Sequence, residues 1–307
     1  MRILLVRLDG IGDALACAPL VAALRAAGHE LGVALSQANA AIFSETAFEW
    51  THVLRRNPWP AHGHAREDVS ATIASARRIG YELALIASEE PDAYALAAGC
   101  APRRVGFVNG WEKPLKSLRA RRFLDRAIVR PASLSRHTEH EVETLFRLGG
   151  RLFDERTPTR DLARLRPLVV GGGGETERGE YLALQLGPKW DAAGIERAVL
   201  ARLEAALVEV LPVQRLGAND RTGFASEDEM RAWKRTIAAA RVLVTPDGGA
   251  AHVAGMTGTP CVDLFPAGAH LRAQMRRWAP WASRSALLVA DRDAPVVSAA
   301  RELCARS

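Results

Sequence analysis

Short runs of apolar residues alternate along the chain with longer segments whose apolar side chains recur at helical spacing. In the N-terminal half these runs cover residues 3–6, 31–35, 83–87 and 104–108. Continuous runs of this length are typical of strands that are buried on both faces of a parallel sheet. Their alternation with helical segments predicts an α/β fold.

The first helical segment follows the first apolar run and extends to about Ala27, where Gly28 is a natural C-terminal cap. Pro19 interrupts its pattern. Because proline is tolerated at the start of a helix and not in its interior, we expect a kink or a break there. A helical segment over residues 137–148, which two glycines follow, closes this half.

A second series of apolar runs occupies the C-terminal half, at residues 182–186, 207–211, 242–244, 261–265 and 286–289. The segment between the halves contains Pro167 and the four glycines 171–174, which are too flexible for the interior of a helix or strand. A phosphate-binding P-loop would end in Gly-Lys-Ser/Thr, but Glu175 follows here. We predict two Rossmann-like domains, 1–160 and 181–307, joined by a linker or Gly-rich loop at 161–180.

The composition is that of an ordinary globular protein, with 48% hydrophobic and 25% charged residues among 307. The net charge of +6 raises the possibility of nucleic-acid binding, but the arginines are spread along the chain and no aromatic-interleaved basic stripe occurs. Residues 113–130 are the exception, with seven Lys or Arg and one acid. This segment is either a solvated face or a contact for a phosphorylated or anionic lipid-linked partner.

Cysteine usage and hydropathy favour a cytoplasmic protein. The four cysteines are widely spaced, which argues against a zinc site and against a disulfide framework. The first apolar run has only four residues, too few for the core of a signal peptide, and no apolar stretch approaches the ~20 residues of a membrane span.

The first candidate site is the turn after the first strand, where Asp13 opens the first helix. Gly10 and Gly12 permit a tight turn and a close backbone approach, at the sheet edge where ligands bind in doubly wound folds. The turn matches a dinucleotide fingerprint poorly, since Leu15 replaces its third glycine. By residue pattern alone, Asp13 is better interpreted as a helix N-cap worth ~1 kcal/mol than as a catalytic residue, and Asp9 competes with it.

The second candidate site follows the run at 242–244. Gly248 and Gly249 open a helix of small residues, whose N–H groups and dipole suit a diphosphate. Asp247 is expected to cap this helix, and His252 lies one turn further on, either as a site residue or as a satisfied half-buried histidine. Lys189, after the run at 182–186, is either a solvated charge or a stabiliser of the leaving group.

These segments, in this order and spacing, resemble the bacterial heptosyltransferase family of lipopolysaccharide core transferases (glycosyltransferase family 9). The matching elements are Arg7 with Ile11-Gly12-Asp13 and Pro19-Leu20, Arg103-Arg104-Val105-Gly106-Phe107, His140-Glu141-Val142 with Leu148-Gly149, Lys189-Trp190, and Asp247-x-Gly249-x-x-His252 with Gly258-Thr259-Pro260. Each element is weak alone, whereas five in register are fairly specific.

The resemblance implies a GT-B architecture, in which two Rossmann-like domains with parallel sheets face each other across a cleft. It also implies inverting, metal-independent transfer of a sugar, heptose from ADP-heptose, to a lipopolysaccharide-core or related cell-envelope acceptor. No cofactor is expected besides the nucleotide-sugar donor. A lipid-linked or phosphorylated saccharide would be the acceptor, with possible peripheral contact at the cytoplasmic face of the inner membrane.

The resemblance assigns roles to individual residues. Asp13 becomes the catalytic base and Lys189 the group that neutralises the departing diphosphate. The donor-binding set is Gly12, Asp247, Gly248, Gly249 and His252. The acceptor-binding set is Lys113, Lys116, Arg119 and Arg122.

Two departures from the family pattern concern the donor side. Gly248 stands where the family has Ser or Thr, and the loop before Lys189 is short and lacks hydroxyl residues. Two alternatives therefore stay open. One is a catalytically degenerate GT-B protein that binds a nucleotide or a partner, and the other is a nucleotide-sugar epimerase.

Overall fold

The computed structural model describes residues 1–56, 63–172, 178–217, 224–290 and 294–306. It forms two compact α/β units. Unit 1 comprises Met1–Ala40 and Glu45–Thr159, and unit 2 comprises Ala41–Ser44 and Arg160–Ser307.

Unit 1 has, in the described part of the chain, six parallel strands in the order β3-β2-β1-β4-β5-β6. The strands are β1 Arg2–Arg7, β2 Glu30–Ser36, β3 Trp50–Leu54, β4 Leu83–Ile86, β5 Arg103–Val108 and β6 Arg126–Val129. The helices are α1 Ile11–Leu15, α2 Ala18–Ala26, α3 Arg66–Ile79, α4 Pro91–Cys100, α5 Pro114–Arg121 and α6 Glu141–Phe146, with 3-10 turns at Gly110–Glu112 and Leu134–Arg136. This is the strand order of the doubly wound Rossmann sheet.

Unit 2 has five parallel strands over its described residues, in the order β11-β10-β9-β7-β8. The strands are β7 Leu182–Gln185, β8 Val213–Leu216, β9 Val242–Pro246, β10 Cys261–Phe265 and β11 Ser285–Val289. The helices are α7 Leu162–Val170, α8 Lys189–Ala192, α9 Arg197–Val208, α10 Glu227–Ala239, α11 Gly249–Thr257, α12 Leu271–Trp278 and α13 Ala294–Ala305. With respect to the first strand of the unit, this is the other common doubly wound order.

Most of the predicted strands are confirmed, and so is the break at Pro19. Helix α1 ends before the proline, and α2 begins with Pro19 in its first turn. Gly28 follows α2 with a φ of 76°, a left-handed conformation that favours glycine. The buried apolar residues of β1 and β4 pack with α4 in the core of unit 1, and those of β7, β9 and β10 pack with α9 and α13 in unit 2.

The prediction of a linker at 161–180 was wrong for its first half. Helix α7 lies there, capped by the Asp161 side chain, and belongs to unit 2 despite Pro167 in its interior. Its buried Leu165, Leu168 and Val169 gave a helical spacing that the proline and the glycines obscured. Gly171 and Gly172 follow the helix with positive φ, whereas the rest of the glycine run, 173–174, and Glu175 lie outside the described residues.

The apolar run at 207–211 is also not a strand. Leu200, Leu203 and Leu207 are buried at helical spacing in α9, and the strand follows at Val213–Leu216. Edge strand β3 escaped prediction because Thr51 and His52 interrupt its apolar residues, and edge strand β6 because its apolar run after Arg126 has only three residues. No helix in the described ranges is long and apolar enough to cross a membrane.

Candidate active site

The predicted site residues follow the strands at which each sheet reverses its winding. In unit 1, β1 lies between β2 and β4, and Asp13 is in the helix that follows β1. In unit 2, β7 lies beside β9. Lys189 follows β7, and Gly248 and Gly249 follow β9. In open α/β sheets the carboxyl ends of the strands at this switch point form the ligand-binding crevice.

A buried arginine organises the site of unit 1. Arg7, at the end of β1, is 3% exposed, and its Nη2 donates to Asp13 Oδ1 at 2.7 Å. Its Nε lies 3.4 Å from Asp9 Oδ2, and its Nη1 donates to the main-chain carbonyl of Ala87. Burial alone would lower the pKa of Arg7, but the charges of Asp13 and Asp9 outweigh it and raise the pKa, so the guanidinium stays charged.

The prediction that Asp13 caps the first helix was wrong. The N-cap position is Gly10, which makes no side-chain cap bond, and Asp13 is the third residue of α1. Among the residues that the structure describes, the hydrogen-bond partner of the Asp13 carboxylate is Arg7. The Asp13 side chain is 35% exposed, so one part of the carboxylate is held by the cation while another part reaches solvent. Gly12 precedes it in α1.

Asp9 is held more firmly than Asp13. Its Oδ1 accepts from Ser88 Oγ at 3.0 Å, and its main-chain carbonyl accepts from the buried Asn39 Nδ2 at 2.7 Å. Burial raises the pKa of the Asp9 carboxyl, although the charge of Arg7 opposes the change. Asp9 thus shares the arginine with Asp13 and is the less accessible of the two carboxylates.

The predicted acceptor-binding residues divide into two groups. Lys116 Nζ binds Glu89 Oε2 at 2.8 Å, just after β4, and Glu89 also pairs with the buried Arg130 at 3.0 Å. Burial alone would raise the pKa of Glu89, but the charges of Arg130 and Lys116 lower it. The other three, Lys113, Arg119 and Arg122, are exposed along α5 and make no ion pair with a described residue.

In unit 2 a tryptophan holds the neighbouring lysine at the surface. Trp190 is 2% exposed in the core, and its Nε1 donates to the main-chain carbonyl of Gln185 at 2.6 Å. The same Gln185 accepts from Trp233 Nε1 through its side chain, also at 2.6 Å. With Trp190 directed inward, the exposed Lys189 at the start of α8 is directed outward.

Lys189 lies across the beginning of α11. Its Nζ donates to the main-chain carbonyl of Asp247 at 2.7 Å. A Cβ on Gly248 would stand 2.3 Å from this Nζ, so only glycine leaves the ammonium where it is. Gly248 is the N-cap of α11 without a side-chain cap bond, and the helix begins at Gly249. The ammonium of Lys189 thus lies beside the first main-chain N–H groups of α11, an arrangement that suits an anion.

Asp247 does not cap α11, contrary to the prediction. Its main-chain N–H pairs with the carbonyl of Leu264, which ties the loop to β10. Burial raises the pKa of the Asp247 carboxyl to about 6, against the opposing charge of Lys189. Asp263, fully buried in β10, has its pKa raised further, by burial and by the charge of Asp247.

His252 is buried in α11, with its ring edge-on to Trp278 at 5.6 Å between ring centroids. Its main-chain N–H closes the first turn of the helix on the carbonyl of Gly248. Its burial agrees with a packing role for the ring. In the described ranges no group of three His, Cys, Asp or Glu could hold a metal ion.

Four important neighbours of the site, Arg7, Ser88, Glu89 and Asp263, carried little signal in the sequence. Arg7 was noted in the N-terminal motif, but its ion pair with Asp13 depends on burial that the motif does not reveal. Ser88 and Glu89 simply follow an apolar run. Asp263 interrupts a strand of otherwise apolar residues, and that polar position inside a buried run was the one usable sign.

The comparison with solved structures identifies the fold, whereas the two sequence comparisons find no relative. No family model matches the sequence, and a sequence search of curated proteins finds no match. The structure is similar to that of the E. coli heptosyltransferase WaaC with ADP, at 16% identity and a TM-score of 0.70, covering 100% of this chain and 99% of that one.

Two further structures are similar over the whole chain. The E. coli ADP-heptose lipopolysaccharide heptosyltransferase II has 14% identity and a TM-score of 0.69, covering 100% of this chain and 99% of that one. A glycosyl transferase family 9 protein from Veillonella parvula DSM 2008 has 13% identity and a TM-score of 0.65, covering 100% and 98%. The resemblance that the sequence motifs indicated is thus confirmed in the fold: the chain has the GT-B fold of the heptosyltransferases, in a divergent form.

Proposed function

We propose that the chain is an inverting glycosyltransferase that moves a sugar from a nucleotide-sugar donor, ADP-heptose by preference, to a saccharide of the lipopolysaccharide core or a related cell-envelope acceptor. Unit 2 binds the donor diphosphate, and unit 1 supplies the base. The acceptor is a lipid-linked or phosphorylated saccharide, and the reaction takes place in the cytoplasm.

The observation that carries this proposal is the position of Lys189 Nζ beside Gly248, at the N-terminal end of α11. A departing nucleoside diphosphate develops negative charge on its terminal oxygen, and fixed donors aimed at that charge stabilise the transition state. The missing hydroxyl at Gly248 is compensated by the ammonium, because the absence of a Cβ is what lets Lys189 lie there. In this scheme the ammonium and the N–H groups do what a metal ion would otherwise do.

The base is Asp13. It takes the proton of the acceptor hydroxyl as that oxygen attacks the anomeric carbon, and the bond from this carbon to the diphosphate breaks with its electrons leaving on the diphosphate. Attack from the opposite face inverts the anomeric centre, so no covalent enzyme intermediate is needed. Arg7 positions the carboxylate by holding Oδ1 at 2.7 Å, and the 35% exposure of the side chain leaves it accessible to an acceptor.

A thermal-shift panel tests the donor class without knowledge of the acceptor. We expect ADP and ADP-sugars to raise the melting temperature more than UDP, GDP or dTDP, since a ligand that binds only the folded state at 100 times its Kd stabilises by about 2.7 kcal/mol. If no nucleoside diphosphate or nucleotide sugar shifts the melting temperature, the donor site is assigned wrongly. Nucleotide binding without any transfer would favour the degenerate binding protein instead.

A further inference from the structure

Helix α5 has its apolar side chains on the wrong side for a helix that packs only on its own domain. Its buried residues are Ser117 and Ala120, whereas Leu115 is 73% exposed and Leu118 is 57% exposed. An ordinary surface helix turns its leucines to the core and its small polar residues to water. The reversed pattern points to an outside partner for this face.

The apolar face continues beyond the helix. Trp111 is 95% exposed in the 3-10 turn just before α5, and Val129, at the end of the edge strand β6, is 56% exposed. Val129 lies against Gly110, where an added Cβ would stand 3.3 Å from Val129 Cγ1. We call these four residues the α5 patch: Trp111, Leu115, Leu118 and Val129. Exposed tryptophan beside exposed leucine is unusual on a soluble surface and marks an interaction site.

Exposed cations surround the α5 patch. Lys113, Arg119, Arg121, Arg122 and Arg126 are exposed, and none of them forms an ion pair with a residue that the structure describes.

The nearby acids have partners of their own. Glu112 accepts from the main-chain N–H groups of Ala132 and Ser133 and pairs with Arg136, and Asp125 pairs with Arg104. The charge presented around the apolar side chains is therefore positive.

We infer that the α5 patch docks unit 1 on the surface of an anionic lipid bilayer, with Trp111, Leu115 and Leu118 in the boundary between headgroups and acyl chains. A short amphipathic segment with Trp and Leu on one side and Arg or Lys around them is the kind that lies in a membrane interface. Basic clusters beside it are attracted to anionic headgroups.

Two other occupants fit less well. A second copy of the chain would bring the same cations face to face across a two-fold contact, which is repulsive. A nucleic acid would use the arginines but would leave two exposed leucines without a function. The inference does not depend on the transferase proposal, because membrane binding needs neither donor nor acceptor.

Co-sedimentation of the full-length protein with vesicles tests the inference. We expect binding to vesicles of phosphatidylglycerol and phosphatidylethanolamine, and little binding to phosphatidylcholine alone. The variant Trp111→Ser/Leu115→Ser/Leu118→Ser should bind the anionic vesicles at least about tenfold more weakly. The matched control Val53→Ser/Val208→Ser changes two exposed apolar residues elsewhere and should bind like the wild type.

Thermal unfolding of each variant checks that the fold is retained, and sedimentation velocity checks for self-association. Absence of binding to anionic vesicles, or equal binding by the patch variant and the wild type, overturns the inference. So does a wild-type dimer that the patch variant dissociates, since the patch would then be a subunit interface.

A second measurement separates insertion from adsorption by charge alone. Lipids brominated on the acyl chain near the headgroup should quench part of the tryptophan fluorescence of the wild type. In Trp111→Phe, which should still bind, that quenched part should disappear. Unchanged quenching in Trp111→Phe would show that another surface meets the membrane and would overturn the assignment.

Discussion

The two units place opposite charges on the same structural element. In unit 1 the turn after β1 carries two carboxylates, Asp9 and Asp13, on a buried arginine. In unit 2 the turn after β9 carries glycines under an exposed ammonium, Lys189, with a carboxyl whose pKa is raised beside it. Both turns end a strand at the switch point of a doubly wound sheet, so topology makes both of them candidate binding sites and does not decide what they would bind.

The difference lies in what the neighbouring strands supply. Arg7 is the last residue of β1 itself, so its guanidinium is buried under the turn, where it pairs with the carboxylates of Asp13 and Asp9. In unit 2 the cation is Lys189, which begins α8 after the adjacent strand β7. Its exposed ammonium lies against the turn after β9. A buried cation can thus orient a carboxylate, such as the proposed base Asp13, whereas an exposed cation is accessible to an anionic ligand.

The largest effect is expected from Asp13→Asn, which tests whether unit 1 supplies the base. Because loss of a general base costs about 10²–10⁴-fold in rate, transfer should fall by at least 100-fold. The stabilisation by ADP should remain. Transfer is measured by release of the nucleoside diphosphate in the presence of an acceptor extract.

Asp9→Asn is the matched variant for this test, since both carboxylates contact the same arginine. We expect a smaller loss, because Asp9 is bound to Ser88 and less exposed. If Asp9→Asn were inactive and Asp13→Asn active, the roles of the two residues would be reversed.

The next effect concerns the cation of unit 2. Lys189→Met retains most of the side-chain stem and removes the charge, so we expect transfer to fall roughly 10²-fold and ADP to bind more weakly. Arg197→Met, at an exposed cation in the neighbouring α9, should change neither quantity. Equal behaviour of the two variants would mean that Lys189 is an ordinary solvated charge.

Glycine-to-alanine variants compare the two turns directly. Gly248→Ala places a Cβ where Lys189 Nζ lies, at 2.3 Å, and should weaken ADP binding about tenfold. Gly10→Ala brings a Cβ to 3.3 Å from Asp13 Oδ2, so it should slow transfer and leave ADP binding unchanged.

Gly268→Ala is the control for these two variants, because an added Cβ there meets no atom within 4 Å. Isothermal titration with ADP and a transfer assay separate the two effects. A loss of ADP binding in Gly10→Ala would contradict the division of roles between the units.

The smallest effect is a dependence of ADP binding on pH. The Asp247 carboxyl, which faces Lys189 and interacts with Asp263, has a pKa of about 6. Above that pH it is a carboxylate and repels a diphosphate, and below it the repulsion disappears. We therefore expect the ADP affinity of the wild type to increase between pH 7.5 and pH 5.5, relative to that of Asp247→Asn, by a few-fold.

At pH 7.5 the Asp247→Asn variant should also bind ADP more tightly than the wild type. The measurement is titration calorimetry at several pH values. Because protonation of ADP itself affects both proteins equally, it cancels when their affinities are compared. A loss of binding in Asp247→Asn would instead identify Asp247 as a hydrogen-bond acceptor for the donor.

Much of the fold was predictable, because strands buried on both faces must be apolar throughout. The runs that became β1, β2, β4, β5, β7, β9 and β10 are largely apolar and buried, with Asp263 in β10 as a polar exception, whereas the run of β11 is apolar but only half-buried. Prediction failed where that rule does not apply. The edge strand β6 has an apolar run of only three residues, after Arg126, and Leu207 in α9 continues into an apolar stretch that resembles a strand.

The caps were predicted wrongly for one common reason. Asp13 and Asp247 both stand next to glycines at a helix start, a local pattern that favours a side-chain cap, yet neither carboxylate caps its helix. Asp13 pairs with Arg7, and Asp247 lies half-buried beside Lys189. A side-chain helix cap contributes only ~1 kcal/mol, so a nearby cation such as Arg7 or Lys189 can outweigh it.

The sequence by itself determined the α/β class, most of the buried strands, the break at Pro19 and the motif spacing that resembles the heptosyltransferases, since these depend on near neighbours along the chain. Only the tertiary structure decided that Arg7 is buried under Asp13, that Lys189 occupies the space a side chain at Gly248 would need, and that the leucines of α5 face outward. These features depend on which side chains are buried and, for Lys189 and Gly248, on residues distant in sequence, and local pattern encodes neither.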